Sequence, residues 1–174
     1  MRSSVSFVFA LLWWFAGAVP PARAAGEQAC NVNVDVTDTD PKGTNVRTSP
    51  GGDVTATLKN AGDGWIGVHV IGQQGAWYEI DRASRIGADE PSGGTPIFNG
   101  HGWLHKSVLS VNGMQNGGAI YAGHDITSPA IISHASSDEV VQMLGCWGTF
   151  LQVRWKNGIG WTRDACTNMN TTCS

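Results

Sequence analysis

Asn31-Val32-Asn33-Val34-Asp35-Val36 alternates polar and apolar side chains, which predicts a strand with one face buried. Asn45-Val46-Arg47 repeats the pattern in short form, and Ser49-Pro50-Gly51-Gly52 ends it with turn residues. Val54, Ala56 and Leu58 then alternate with Thr55 and Thr57. Trp65 to Ile71 predicts a further strand, and Gly72-Gln73-Gln74-Gly75 punctuates a hairpin into Trp77-Tyr78-Glu79-Ile80. Between residues 83 and 100 the alternation is lost among Ser, Gly, Asp, Glu and Pro, apart from Pro96-Ile97-Phe98, so this stretch is expected to be a long loop. Strand character returns at Gly102-Trp103-Leu104, and Lys106-Ser107-Val108-Leu109 resembles a closing turn.

The second half follows the same course. Asn112-Gly113 and Asn116-Gly117-Gly118 predict a flexible joint at 113–118. Beyond it Ile120-Tyr121 takes the place of Val46, Ala130-Ile131-Ile132 that of residues 54–58, and residues 140–144 that of residues 65–71. Phe150-Leu151-Gln152-Val153 matches residues 77–80, and Gly160-Trp161 matches Gly102-Trp103. Val46 and Trp77 are 31 positions apart and Tyr121 and Phe150 are 29, whereas Trp77 to Trp103 spans 26 and Phe150 to Trp161 only 11. The mismatch falls on the 83–100 stretch, which the second copy replaces with Lys156-Asn157-Gly158, a strong hairpin signal.

Taken together, Asn45-Val46-Arg47 with Ser49-Pro50, Trp77-Tyr78-Glu79-Ile80, and Gly102-Trp103-Leu104-His105 with Val108-Leu109 resemble the bacterial SH3-like (SH3b) domain. The second copy is similar but more divergent. It keeps Phe150 to Arg154 and Gly160-Trp161, and shows Ile120-Tyr121-Ala122 where the family carries Asn-Val-Arg. The resemblance implies an all-β protein of two small SH3-like five-stranded barrels in tandem, at 25–112 and 119–174. It also implies a binding or targeting role toward the cell wall or a protein partner. A fold of this kind leaves the ligand open.

The ends change the picture. Met1-Arg2, an apolar run over residues 5–19 and Ala22-Arg23-Ala24 predict a signal peptide over 1–24, cut after Ala24. A periplasmic or secreted location is therefore expected, with no membrane insertion after cleavage. Losing Arg2 and Arg23 would take the formal charge from −3 to −5, which offers no basic patch for nucleic acid. Four cysteines, Cys30, Cys146, Cys166 and Cys173, remain for two bridges, and Cys30 has no cysteine before Cys146 to pair with. The start of the chain is thus expected to be tied to its second half. Pairing Cys146 with Cys166 and Cys30 with Cys173 is favoured because the two inner cysteines share a module. Their spacing does not suit zinc, and no cofactor is implied.

Candidate chemistry rests on rings more than on titratable groups. Cys146 or Cys166 with His101, His105, His124 or His134 would serve a cysteine-dependent cell-wall hydrolase, but cysteines in an oxidising compartment are better read as paired, so no catalytic residue is expected. His101 and His105, four apart, share a face on a strand, and Asp38, Asp40 and Gly43 only faintly resemble a calcium loop. Adjacent strand residues face opposite ways, so one of Trp77 and Tyr78 must be exposed. The expected groove lies between residues 35–44, the Trp77-Tyr78 strand and residues 83–100, with Asp38, Asp40, Trp77, Tyr78, Phe98, His101 and His105 as ligand-binding residues. Peptidoglycan or a periplasmic protein or peptide is the expected ligand; a structural role without a ligand groove is the alternative.

Overall fold

The computed structural model describes residues 27–60, 63–87, 89–91, 93–111, 113–137, 141–156 and 158–167. The leader and its cleavage point lie outside them. The described residues are all-β, with no α-helix among them. The first sheet contains β1 (Gln28–Val36), β2 (Thr44–Arg47), β3 (Val54–Leu58), β4 (Trp65–Gln74), β5 (Trp77–Ile86), β6 (Thr95–His105) and β7 (Leu109–Ser110), in the order β3-β2-β6-β5-β4-β1-β7. A single 3-10 turn, Lys106–Val108, joins β6 to β7. The second sheet contains β8 (Gly113–Tyr121), β9 (Ala130–Ser137), β10 (Gln142–Trp147), β11 (Phe150–Trp155), β12 (Gly158–Thr162) and β13 (Ala165–Cys166), in the order β10-β11-β12-β8-β13 with β9 also on β8.

Alternation decides which residues enter the core. Val32 and Val34 of β1, Val46 of β2, Tyr78 and Ile80 of β5 and Leu104 of β6 are all buried, while Asn31, Asn33 and Asn45 point outward. β4 is buried on both sides from Trp65 to Val70 except at Gly67, because β1 and β5 flank it and the second sheet lies beside it. Its one polar residue there, His69, is buried between Asp81 and Asn31, each 2.8 Å from a ring nitrogen.

The 83–100 stretch is not a loop but the far half of a long hairpin. β5 and β6 stay paired from Trp77↔His105 to Arg85↔Thr95, and only residues 87–94 form the turn. Two irregularities, at Ile80/Arg82 and Ala83/Ser84, shift the register. Both place their extra residue in β6; on β5 the extra residue is Asp81, at the His69/Val70 step of β4, so Ala83 is buried where strict alternation from Ile80 would place residue 82 or 84. That shift is why the sequence pattern dissolves there. At the tip, Gly94 has φ +79°, and a Cβ on it would lie 2.5 Å from the Arg85 carbonyl oxygen. Arg85 Nε donates to Glu90 Oε1 at 2.6 Å, and the Thr95 hydroxyl donates to Glu90 Oε2. These bonds, Thr95's first, hold the Glu90 carboxyl below the usual glutamate range.

The joint expected at 113–118 is also strand. β8 runs from Gly113, whose partner is Cys166 of β13, through to Tyr121, whose partner is Trp161 of β12. The two sheets are joined more firmly than a flexible linker allows. Cys30 of β1 is bonded to Cys146 of β10, with Cα atoms 5.7 Å apart. The Asn31 N–H donates to the Gly148 carbonyl at 2.7 Å, and the Gly148 N–H to the Ala29 carbonyl at 2.8 Å. Gln73 Oε1 of β4 accepts from the Cys146 N–H at 2.9 Å. Buried side chains of both sheets then form one continuous apolar cluster. This overturns the favoured pairing: Cys146 takes Cys30, since β1 passes directly beside the β10–β11 turn. Cys166 is also disulfide-bonded, and Cys173 lies outside the described residues.

The same strand plan is used twice. β2-β6-β5-β4 in the first sheet corresponds to β8-β12-β11-β10 in the second, with β3 on β2 and β9 on β8. The register agrees in detail, Arg47 facing Trp103 and Tyr121 facing Trp161. A Cβ on Gly102 would come within 2.2 Å of Val46, and one on Gly160 within 2.4 Å of Ile120. Each Gly-Trp pair therefore crosses directly against the first strand of its plan, and only glycine leaves room for that crossing.

Candidate functional site

The outward positions of β2, β5 and β6 converge on one face of the first sheet. Trp77 and Glu79 alternate outward along β5, and the register sets them opposite His105 and Trp103. Arg47 of β2 faces Trp103 from the other side. The His105 ring meets Trp77 edge-on, with centroids 5.1 Å apart and planes at 72°. Arg47 Cζ lies 6.0 Å from the Trp77 ring centroid, and its Nη1 donates to the Gly52 carbonyl at 2.7 Å, which holds the guanidinium in place. His105 Nδ1 is 2.8 Å from the Ser107 hydroxyl, fixing the ring at the start of the 3-10 turn. Farther along, His101 Nδ1 lies 2.8 Å from Glu79 Oε1.

This face has the composition of a recognition surface. Trp77, Glu79, Trp103 and His105 are half-buried, so their flat sides are supported from below and open above. One guanidinium, one carboxylate and two imidazoles surround two indoles. The face can stack against a flat or aliphatic ligand group and offer both donors and an acceptor beside it.

Four of the seven expected residues do not join it. Tyr78 turns inward and is fully buried, so Trp77 is the exposed member of the pair. Burial pushes the Tyr78 hydroxyl well above the usual tyrosine range, and that hydroxyl has no hydrogen-bond partner among the described residues. Phe98 is half-buried and packs against the core. Asp38 and Asp40 are spent on their own loop. Asp38 accepts from the Asp40 N–H at 3.0 Å and the Thr44 hydroxyl at 3.0 Å, and Asp40 accepts from the Lys42 N–H at 2.9 Å. The two acids line a separate cleft of about 360 Å³ with Leu58, Lys59 and Ile66.

The expected three-sided groove is therefore not assembled. Trp77 pairs with Gln74 at one end of β4, while the hairpin leading to 87–94 meets Trp65 at the other. His101 and His105 do lie on one face with Trp77, but they engage different partners, Glu79 and Ser107. Among the described residues no group of His, Cys, Asp or Glu is arranged to hold a metal ion. Arg47, Glu79 and Trp103 belong to the face and were missed as site residues. Period-two alternation contains the signal: Arg47 follows buried Val46, Glu79 lies two beyond Trp77, and Trp103 lies between His101 and His105.

The second sheet carries a cluster at the matching positions. Tyr121, Phe150 and Arg163 stand where Arg47, Trp77 and His105 stand in the first. Tyr121 and Phe150 meet edge-on at 6.3 Å, and Arg163 Cζ lies 5.8 Å from the Phe150 ring centroid. Trp147, at the β10–β11 turn, is 47% exposed.

No known protein-family model matches the chain, and no curated protein matches it. Among solved structures it is similar to NlpC2 of Trichomonas vaginalis, at 14% identity and a TM-score of 0.33 over 79% of this chain and 48% of the other. NlpC1 of the same organism is similar at 14% identity and a TM-score of 0.32, over 78% of this chain and 45% of the other. The chain thus spans about half the length of each.

Proposed function

We propose that the protein is an exported, non-catalytic binding protein made of two small SH3-like barrels in tandem. Its ligand is peptidoglycan or a periplasmic protein or peptide, held on the Arg47, Trp77, Glu79, His101, Trp103 and His105 face. The observation that carries this reading is the half-open Trp77 ring, braced by Arg47 and His105 and flanked by the Glu79 carboxylate. The repeated strand plan supports the tandem reading, because both copies close the same Gly-Trp crossing over their first strand. Disulfide bonding supports export, since such bonds persist in oxidising compartments. It also weakens the hydrolase alternative: Cys146 and Cys166 are both oxidised, and neither presents a thiolate. No helix among the described residues is long and apolar enough to cross a membrane.

A structural or assembly role is the second reading, favoured by the single apolar cluster that runs through both sheets. Incubating the exported protein with purified cell-wall sacculi and, separately, with immobilised periplasmic extract distinguishes the two. Retention on either, reduced about tenfold by Trp77→Ala, is expected for a ring that anchors the ligand. Failure to be retained on both overturns the binding role and leaves the structural one.

A further inference from the structure

The outer face of the second sheet has a chemistry that the first face does not. The 122–129 loop places His124 over it, with the imidazole stacked on Trp147 at 4.5 Å and 20° and edge-on to Trp161 at 5.2 Å and 82°. One side of the exposed Trp147 ring is thereby covered, which fixes its plane. Gln152 and Arg154 alternate outward along β11, in phase with the buried Phe150, and pair with Trp161 and Ile159 of β12. Arg163 follows Trp161 by two residues, beside Phe150.

Two guanidinium groups mark this face. Arg154 and Arg163 are exposed, and neither has an ion-pair partner among the described residues; Arg154 Nε donates only to Gln142 Oε1, at 3.2 Å. The nearby carboxylates keep their charge and are held by main-chain donors. Asp125 accepts from the Thr127 N–H at 2.8 Å, and Asp164 from the Ala119 N–H at 2.9 Å. An extended peptide could not add as a strand beside Trp147, because β1 occupies that side through the Asn31–Gly148 and Gly148–Ala29 main-chain bonds. A ligand has to bind here through side chains, among two indoles steeply inclined to each other across His124, guanidinium groups and an amide.

We propose that this face is a second ligand site, for a carboxylated saccharide of the hexuronate type. The Trp147 and Trp161 rings take the C–H faces of the sugar, an arginine takes its carboxylate through two parallel N–H donors, and Gln152 serves the hydroxyls. Such a site is distinct from the first face, and it does not depend on what the first face binds.

Titration of the exported protein with a galacturonic acid hexamer, followed by tryptophan fluorescence and calorimetry, tests this. Saturable binding is expected, weakened about tenfold by Trp147→Ala and about fivefold by Arg163→Ala, both at exposed positions, with melting curves to establish that each variant is folded. Trp77→Ala should leave it unchanged, and full methyl esterification of the hexamer should weaken it about tenfold by removing its charge. Absence of saturable binding overturns the site. So does equal binding of the methyl ester, a glutamate hexamer binding as tightly as the sugar, or a loss in Trp77→Ala that matches the loss in Trp147→Ala.

Discussion

In the first sheet Arg47 and His105 flank Trp77; at the matching positions of the second, Tyr121 and Arg163 flank Phe150. The strands beneath are the same, and so is the steric demand on Gly102 and Gly160, each crossing against the first strand of its plan. What differs points outward. The first face places Glu79 among its rings, whereas on the second, arginines stand beside rings and an amide. The connections differ as well. β1 and β2 are separated by the acidic 37–43 loop, where β8 runs unbroken, and the 87–94 tip becomes the tight turn between Trp155 and Gly158. A strand plan thus constrains the inward and crossing positions by packing, and leaves the outward ones free to change chemistry.

Breaking the joint between the two regions should have the largest effect. Cys30→Ser with Cys146→Ser is expected to cost about 2–5 kcal/mol, because the bridge closes a sequence separation of 116 residues. Calorimetry should then show a lower melting temperature, and a transition split in two would mean that the bridge is what couples the sheets. Next come the crossings. Gly102→Ala and Gly160→Ala are each expected to cost about 1–3 kcal/mol by urea unfolding, as overpacking does. The Gly160 change should be the worse, since its Cβ would also meet the Tyr121 carbonyl oxygen at 2.7 Å, and a backbone atom yields less than a methyl group. Tolerance of alanine at either position would break the correspondence.

The faces themselves offer a smaller effect. Arg47→Ala should weaken first-face binding by about 0.5–1 kcal/mol in a retention assay while leaving the second face untouched, as an exposed cation–ring contact allows. The smallest effect concerns the hairpin tip, which only the first sheet has. Glu90's carboxyl is held below its unfolded range, so its contribution is present above the ordinary glutamate range and lost as pH falls through the lowered value. The protection of the Gly94 amide, its exchange rate relative to the intrinsic rate at the same pH, should fall on acidification, and Glu90→Gln should remove that pH dependence without altering protection in β10 or β11.

Much of this was legible in the chain. Alternation locates β1, β2 and β3, hairpin punctuation locates the start of β5, and the repeat locates β11 and, through its Gly-Trp pairs, β6 and β12. The cysteine spacing alone required Cys30 to reach into the second half. The 83–100 stretch was misread because two bulges shift its phase, and a pattern-based reading follows phase. The cysteine pairing failed for a different reason: it was chosen by nearness in sequence, while β1 lies against β10 in space.

The division has a physical cause. Inward or outward orientation is a local property of a strand, repeated every two residues, so the sequence by itself determined that Trp77 and Tyr78 must part ways and that Val46 points inward. Which outward residues meet is a property of register between strands distant in the chain. Only the folded sheet decided that Arg47 would reach Trp77 from β2, that Asp38 and Asp40 would close on their own loop, and that His124 would lie on Trp147.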